Sequence, residues 1–208
     1  MSRRQPAWRG IAPWPSYGVP PAWSRRSRLL ATRITIVYDT PLTIAQILSL
    51  LAAAPARLAA LTEGLSPAQL LAPPEPGEWS ARDVLAHLRA CADMWGKYIA
   101  LILCEDRPTF KAVNPTTWIK QTNYRELEFQ PSFQAFTTQR AELLAVLKPL
   151  AAEAWSRSAT VTGAGKPRER TVYTYAQWLA NHEQTHLRQI ERLVNFLSPT
   201  RAAAPDPK

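Results

Sequence analysis

Glycine is scarce in this chain, seven in 208 residues against nineteen prolines. That leaves little material for phosphate-cradling loops and few residues for the positive-φ corners of an all-β protein, and it argues against a nucleotide-binding α/β enzyme. The one glycine-rich stretch, Gly163-Ala164-Gly165-Lys166, lacks the earlier glycine of the phosphate-loop spacing and is followed by Pro167 instead of Ser or Thr. Cysteine is limited to Cys91 and Cys104. Thirteen residues apart on one predicted helix, they stand ~20 Å from each other, too far to bridge. With no Cys-x-x-Cys pair, this fits a reducing cytosol, and a cytoplasmic location is the expectation. No apolar run is read as approaching the ~18–20 residues of a membrane span, and no secretory apolar stretch follows the Arg3-Arg4 pair. No membrane partner is expected. The length is enough to bury a core without disulfides or a structural metal.

The formal charge of +9 is unevenly spread. Residues 1–40 carry seven arginines (Arg3, Arg4, Arg9, Arg25, Arg26, Arg28, Arg33) against Asp39, whereas the remaining 168 residues carry 18 basic and 15 acidic side chains. Nucleic-acid binding is therefore expected only through the basic N-terminal segment, if at all. Over residues 1–31 Pro, Trp and Arg interleave without helical or strand period, and residues 1–38 read as an irregular basic arm. A targeting peptide, an arm for anionic surfaces and translated upstream sequence are all compatible with it. Residues 32–38 have the composition of a short strand, and the Ala/Pro-rich tail over 199–208 should fray.

Between these ends, residues 39–198 carry four long helical patterns. The first is expected to open at Thr40-Pro41, with Ile44, Ile47, Leu48, Leu51, Leu58 and Leu61 on one face and a kink at Pro55. Ser66-Pro67 should start a short helical turn. The second helix should begin after Ser80, with Asp83 completing an acidic capping box, and run to about Cys104 along the seam Val84, Leu88, Cys91, Trp95, Tyr98 and Ile102. A short helical piece near Trp118 leads to a third helix expected to open at Pro131, with Phe133, Phe136, Leu143, Leu144 and Leu147 inward. Residues 156–172 read as a loop or weak hairpin, and the fourth helix as Thr174 to about Leu197. Four helices with one apolar stripe each imply an all-α four-helix bundle.

The chain has three histidines, His87, His182 and His186. His182 and His186 are four apart and keep the spacing of Trp178, Ile190, Leu193 and Leu197, so both imidazoles occupy positions where the seam calls for an apolar residue. His87 lies within ~60° of the seam of the second helix. A buried polar group without a partner costs ~1–3 kcal/mol, and a metal ion is the partner that satisfies several imidazoles at once. Three protein ligands would leave a coordination position for water or substrate, the layout of a catalytic site. A core histidine bonded to a carbonyl is the plainer alternative.

His182-Glu183-Gln184-Thr185-His186 also matches H-E-x-x-H, the zinc-protease pattern with its glutamate base. No histidine follows His186, Glu191 is too close to serve as the distant third ligand, and no sheet is expected that could hold a peptide. A protease is thus disfavoured, leaving Glu183 as a solvated carboxylate or one hydrogen-bonded to a ligand. Trp95, Trp155 and Trp178 read as pocket lining or, more simply, as packing.

Gly77-Glu78-Trp79-Ser80 leading into Asp83-Val84-Leu85-Ala86-His87-Leu88, with His182-Glu183-Gln184-Thr185-His186-Leu187-Arg188-Gln189-Ile190 some ninety residues later, resembles the DinB-like (DinB/YfiT) superfamily over roughly residues 41–197. The resemblance implies a four-helix bundle whose metal site takes one histidine from the second helix and two from the last, here His87, His182 and His186. It implies a divalent metal, zinc or nickel, and an enzyme of transferase, isomerase or hydrolase-like type. The implied substrate is a small molecule, with a low-molecular-weight thiol as activated partner. A non-catalytic metal-binding bundle, dimerising or regulatory, is the alternative, and a homodimer is compatible with either. The residues before 32 fall outside the family pattern.

Overall fold

The computed structural model describes residues 41–163 and 165–197; the expected arm over 1–38, the strand at 32–38 and the tail over 199–208 lie outside them. The elements are α1 (Ile44–Thr62), α2 (Pro67–Leu71), α3 (Ala81–Cys104), β1 (Thr109–Lys111), α4 (Pro115–Trp118), α5 (Phe129–Leu147), α6 (Ala152–Trp155), β2 (Ser158–Thr162), β3 (Arg168–Thr171) and α7 (Val172–Leu197). The long helices α1, α3, α5 and α7 form the bundle.

Local chemistry sets the helix starts. Three N-termini carry reciprocal capping boxes, at Thr43 with Gln46, Ser66 with Gln69 and Ser80 with Asp83. The Thr43 box explains why α1 begins at Ile44 and not after Thr40-Pro41: the reciprocal bonds between Thr43 and Gln46 hold Thr43 extended. The chain ahead of α1 is tied to α7, with the Leu42 amide donating to Gln177 Oε1 at 2.8 Å and the Tyr173 hydroxyl donating to the Leu42 carbonyl at 2.7 Å. Pro55 does not stop α1, which continues to Thr62. Pro131 lies in the first turn of α5, which opens two residues earlier at Phe129. A proline is tolerated there because the amides of the first turn have no intrahelical acceptor.

Each of α1 and α3 packs against both α5 and α7, which places α1 diagonal to α3 and α5 diagonal to α7. Helices consecutive among the four are adjacent only at α3–α5. The other two steps cross the bundle, and the connections over 63–80, 105–128 and 148–171 are all long.

Those connections carry secondary structure the sequence reading only half anticipated. The hairpin over 156–172 exists as β2 and β3, and β1 from the α3–α5 connection adds to it, giving a sheet of order β1-β2-β3. β1 runs parallel to β2 (Phe110 opposite Val161) and β3 antiparallel to it (Thr160 opposite Glu169). A three-residue strand shows no period, and its partner lies some fifty residues away, so the expectation that no sheet exists needs correcting. Phe110 stacks on Tyr98 with centroids 4.4 Å apart and planes 7° from parallel, which seats the sheet on α3.

The expectation of no membrane-length apolar stretch also needs correction: Ile44–Thr62 is long and apolar enough to cross a bilayer by length and composition. Ile47, Leu51, Ala54 and Leu58 are buried in the bundle, while Ala45, Ala52, Ala53, Ala56, Ala59 and Ala60 face outward. Alanines raise the apolarity of α1 with little side chain to bury, so the outer face can meet water at small cost.

Two large clusters and a small one at Ala86, Ala90 and Ile119 make up the apolar core. One large cluster gathers Ile47, Leu51, Trp95, Ile99, Leu144, Leu147 and Leu179, and the other Ala54, Leu58, Leu85, Leu88, Phe136, Leu187 and Ile190. Between them on α3, α5 and α7 lie buried His87, Arg140, His182, Glu183 and His186. A polar layer therefore crosses the middle of the bundle.

Candidate metal centre

The capping box at Ser80 fixes the start of α3, and about two turns later His87 points into the seam between α3 and α7. It is 6% exposed; His182 and His186, from the facing turn of α7, are 5% and 9% exposed. His87 Nε2 lies 3.0 Å from His182 Nε2, and His186 Nε2 lies 3.1 Å from the same atom. The three ring centroids are 4.4–4.9 Å apart. All three sequence-predicted residues thus meet in one place.

The set of mutually close ligand atoms nevertheless differs from three imidazoles. His87, Cys91 and His182 offer donor atoms all within 4.8 Å of one another, with Cys91 Sγ 3.6 Å from His87 Nε2 and 3.7 Å from His182 Nε2. His186 joins this group through His182. The seam pattern marks Cys91 only as a packing residue. The signal that could have found it is its spacing, because it stands four residues from His87 as His186 stands four from His182.

Burial dominates the electrostatics. It pushes His87 down to about 3, holds His182 well below its ordinary range and lowers His186; for the first two, the charge of neighbouring imidazoles adds to the effect. Burial likewise pushes the Cys91 thiol up, with the nearby Asp93 carboxylate contributing. Near neutral pH the rings are therefore unprotonated, the state in which imidazole is a ligand.

Their orientation agrees with a cation. The Nδ1–H of His186 donates to Gln189 Oε1 at 2.7 Å, which turns the Nε2 lone pair toward His182. One proton on His182 Nε2 can serve one of its two close neighbours, and the other contact then opposes lone pair to lone pair. A positive ion satisfies converging lone pairs together, so the donor set fits the metal expected from the sequence. Nδ1 of His87 and of His182 are buried without a hydrogen-bond partner.

Aromatic rings wall the cluster. Trp79, just before the Ser80 cap, lies 5.0 Å from His87 and 6.1 Å from His186, nearly parallel to the latter. On the other side Trp95 meets His182 edge-on at 5.1 Å and continues to Trp178 at 6.4 Å. These walls limit water, which strengthens every charge interaction inside.

Glu183 is neither solvated nor bonded to a ligand imidazole. It is 1% exposed and pairs with Arg140 of the diagonal helix α5, itself 1% exposed. A carboxylate committed to a guanidinium at the bundle axis is poorly placed to act as the base of an H-E-x-x-H protease. Arg140 is a residue the sequence reading missed, since a lone arginine on a helix carries no pattern of its own.

The sequence model of the DinB superfamily matches residues 50–190. The chain belongs to the DinB superfamily. That span includes His87, Cys91, Arg140, His182, Glu183, His186 and Gln189 of this DinB-superfamily protein. The fold also matches YfiT from Bacillus subtilis, described as a probable metal-dependent hydrolase with an unusual four-helix bundle topology, at TM-score 0.62 and 20% identity over 77% of this chain and 89% of that one. At that identity the match speaks for the fold alone. No curated protein matches the chain.

Proposed function

We propose that this DinB-superfamily protein is a divalent-metal-dependent enzyme acting on a small molecule, with His87, His182 and His186 holding the ion, zinc or nickel, and a low-molecular-weight thiol or water as the activated group. The observation that supports the reading is the burial of three imidazoles side by side between α3 and α7, with His182 Nε2 3.0 Å from His87 Nε2 and 3.1 Å from His186 Nε2. When bound, such an ion supplies Lewis acidity, lowering the pKa of a thiol or water that reaches it. The chain's own residues do the rest. Gln189 fixes the tautomer of His186. Trp79 and Trp95 pack on the imidazoles and keep bulk water from them. The pair of Arg140 and Glu183 anchors α7 beside His182.

Metal analysis of protein purified without a polyhistidine tag, beside a His182→Ala variant, tests the reading. Near-stoichiometric zinc or nickel in the parent and its loss in the variant is the expected result; equal contents end the idea. Assays of thiol transfer and of ester or amide hydrolysis, with and without added thiol, then separate transferase from hydrolase chemistry.

The sulfur of Cys91 beside the imidazoles favours a second reading, in which four protein donors close the site and the ion only stabilises the bundle. Metal should then raise the melting temperature while both activity screens stay silent.

A further inference from the structure

The two helices that meet at the site each present a pair of soft or borderline donors one turn apart, His87 with Cys91 on α3 and His182 with His186 on α7. The family resemblance accounts for three of these four. Cys91 is fully buried, and its sulfur faces two imidazole nitrogens across the helix seam, not one. Helix spacing alone sets Cys91 beside His87, but the approach of its sulfur to His182 Nε2, 3.7 Å away on the facing helix, is a contact that spacing does not require.

The distances have a simple meaning. Bonds of ~2.0–2.1 Å to nitrogen and ~2.3 Å to sulfur at tetrahedral angles give edges of ~3.4 Å between nitrogens and ~3.6 Å between nitrogen and sulfur. The observed edges are 3.6 and 3.7 Å from Cys91 Sγ to the two nitrogens and 3.0 Å between those nitrogens. A small closing or opening of the seam converts this triangle into three corners of a coordination tetrahedron.

We propose that Cys91 is itself a metal ligand, its thiolate adding a sulfur to the imidazole nitrogens and giving this protein a nitrogen-and-sulfur centre. Ligation replaces the thiol proton, which leaves to solvent, with a bond from sulfur to the ion; nothing is oxidised or reduced. A thiolate selects for zinc and cobalt(II) and against the hard cations magnesium and calcium, which bind oxygen. The proposal rests on the cation-binding half of the reading above, which the catalytic and stabilising versions share.

The test uses the full chain, untagged and stripped by a chelator, titrated with cobalt(II). The expected result is one equivalent bound with a near-ultraviolet sulfur-to-cobalt charge-transfer band. That band should be lost in Cys91→Ser, which still binds cobalt through its histidines, and kept in Cys104→Ser, whose cysteine is exposed. A band unchanged in Cys91→Ser, or lost instead in Cys104→Ser, overturns Cys91 as a ligand and leaves the histidine site standing. Failure of the parent protein to bind cobalt or zinc at all overturns the metal reading as well. Because a core substitution can fail to fold, X-ray absorption at the zinc edge of the unaltered protein provides an independent measure. A sulfur shell at ~2.3 Å supports the proposal, and a shell of light atoms alone at ~2.0–2.1 Å overturns it.

Discussion

Replacing Arg140 by leucine tests the polar layer most directly. Arg140 and Glu183 have side chains 2% and 1% exposed, and each retains atoms with no hydrogen-bond partner: Nε and Nη1 of Arg140 and Oε2 of Glu183. Arg140→Leu strands a carboxylate where water cannot reach it, and breaking a buried pair in this way costs about 3–5 kcal/mol. The carboxylate escapes part of that cost by taking up a proton. Its folded pKa then rises above the unfolded value of ~4.3, the folded state binds more protons, and stability falls as pH rises at up to about 1.4 kcal/mol per unit. Between pH 7 and ~4.3 the deficit can therefore shrink by at most about 3.7 kcal/mol. Arg140→Leu/Glu183→Leu removes both charges and their desolvation together, and should recover parent stability or exceed it by about 1–4 kcal/mol. Urea unfolding of the three proteins at pH 5.5 and 7.5 measures all of this, since titrations common to the three cancel in the differences. A single variant within about 1 kcal/mol of the parent at pH 7.5, or a double variant no better than the single, would refute a tightly coupled buried pair.

The metal-free protein should lose stability on acidification from ~6.5, where unfolded histidines begin to charge, toward 3, because the folded rings resist protonation; the slope approaches about 1.4 kcal/mol per pH unit for each histidine, and calorimetry at stepped pH reads it. His87→Phe should flatten that slope. Gln189→Ala should weaken metal binding by about 10–100-fold in chelator competition, with Gln189→Glu restoring most of it, as expected of a group that orients a ligand imidazole. Ser80→Ala removes the reciprocal cap of α3 and should cost about 0.5–2 kcal/mol in urea unfolding without changing metal stoichiometry.

The bundle was legible because its helices advertise themselves. The seam from Val84 to Ile102 repeats at threes and fours, and Ser80 with Asp83 marks its start to the residue. The three histidines stood out because each occupies a position where an aliphatic side chain would serve packing better. Cys91 did not, because a buried cysteine and a ligand cysteine satisfy the same apolar pattern. Arg140 was hidden for a related reason: whether an arginine on a helix faces water or a carboxylate across the bundle depends on which helices lie diagonal, and periodicity within a segment says nothing of that. The start of α1 was misplaced because two hydroxyl residues, Thr40 and Thr43, compete as caps, and the glutamine that decides between them, Gln46, lies inside the helix. β1 needed a partner from a distant connection before it could be a strand at all.

The diagonal placement of α1 and α3 also bears on synthesis. Among the described helices α1 is made before both of its main neighbours, α5 and α7, and α7 is completed only at Leu197. Until α7 is made, then, a nineteen-residue segment of membrane-crossing length and composition lacks one of the two surfaces it lies on. That segment stays open to competing apolar contacts until α7 packs on it.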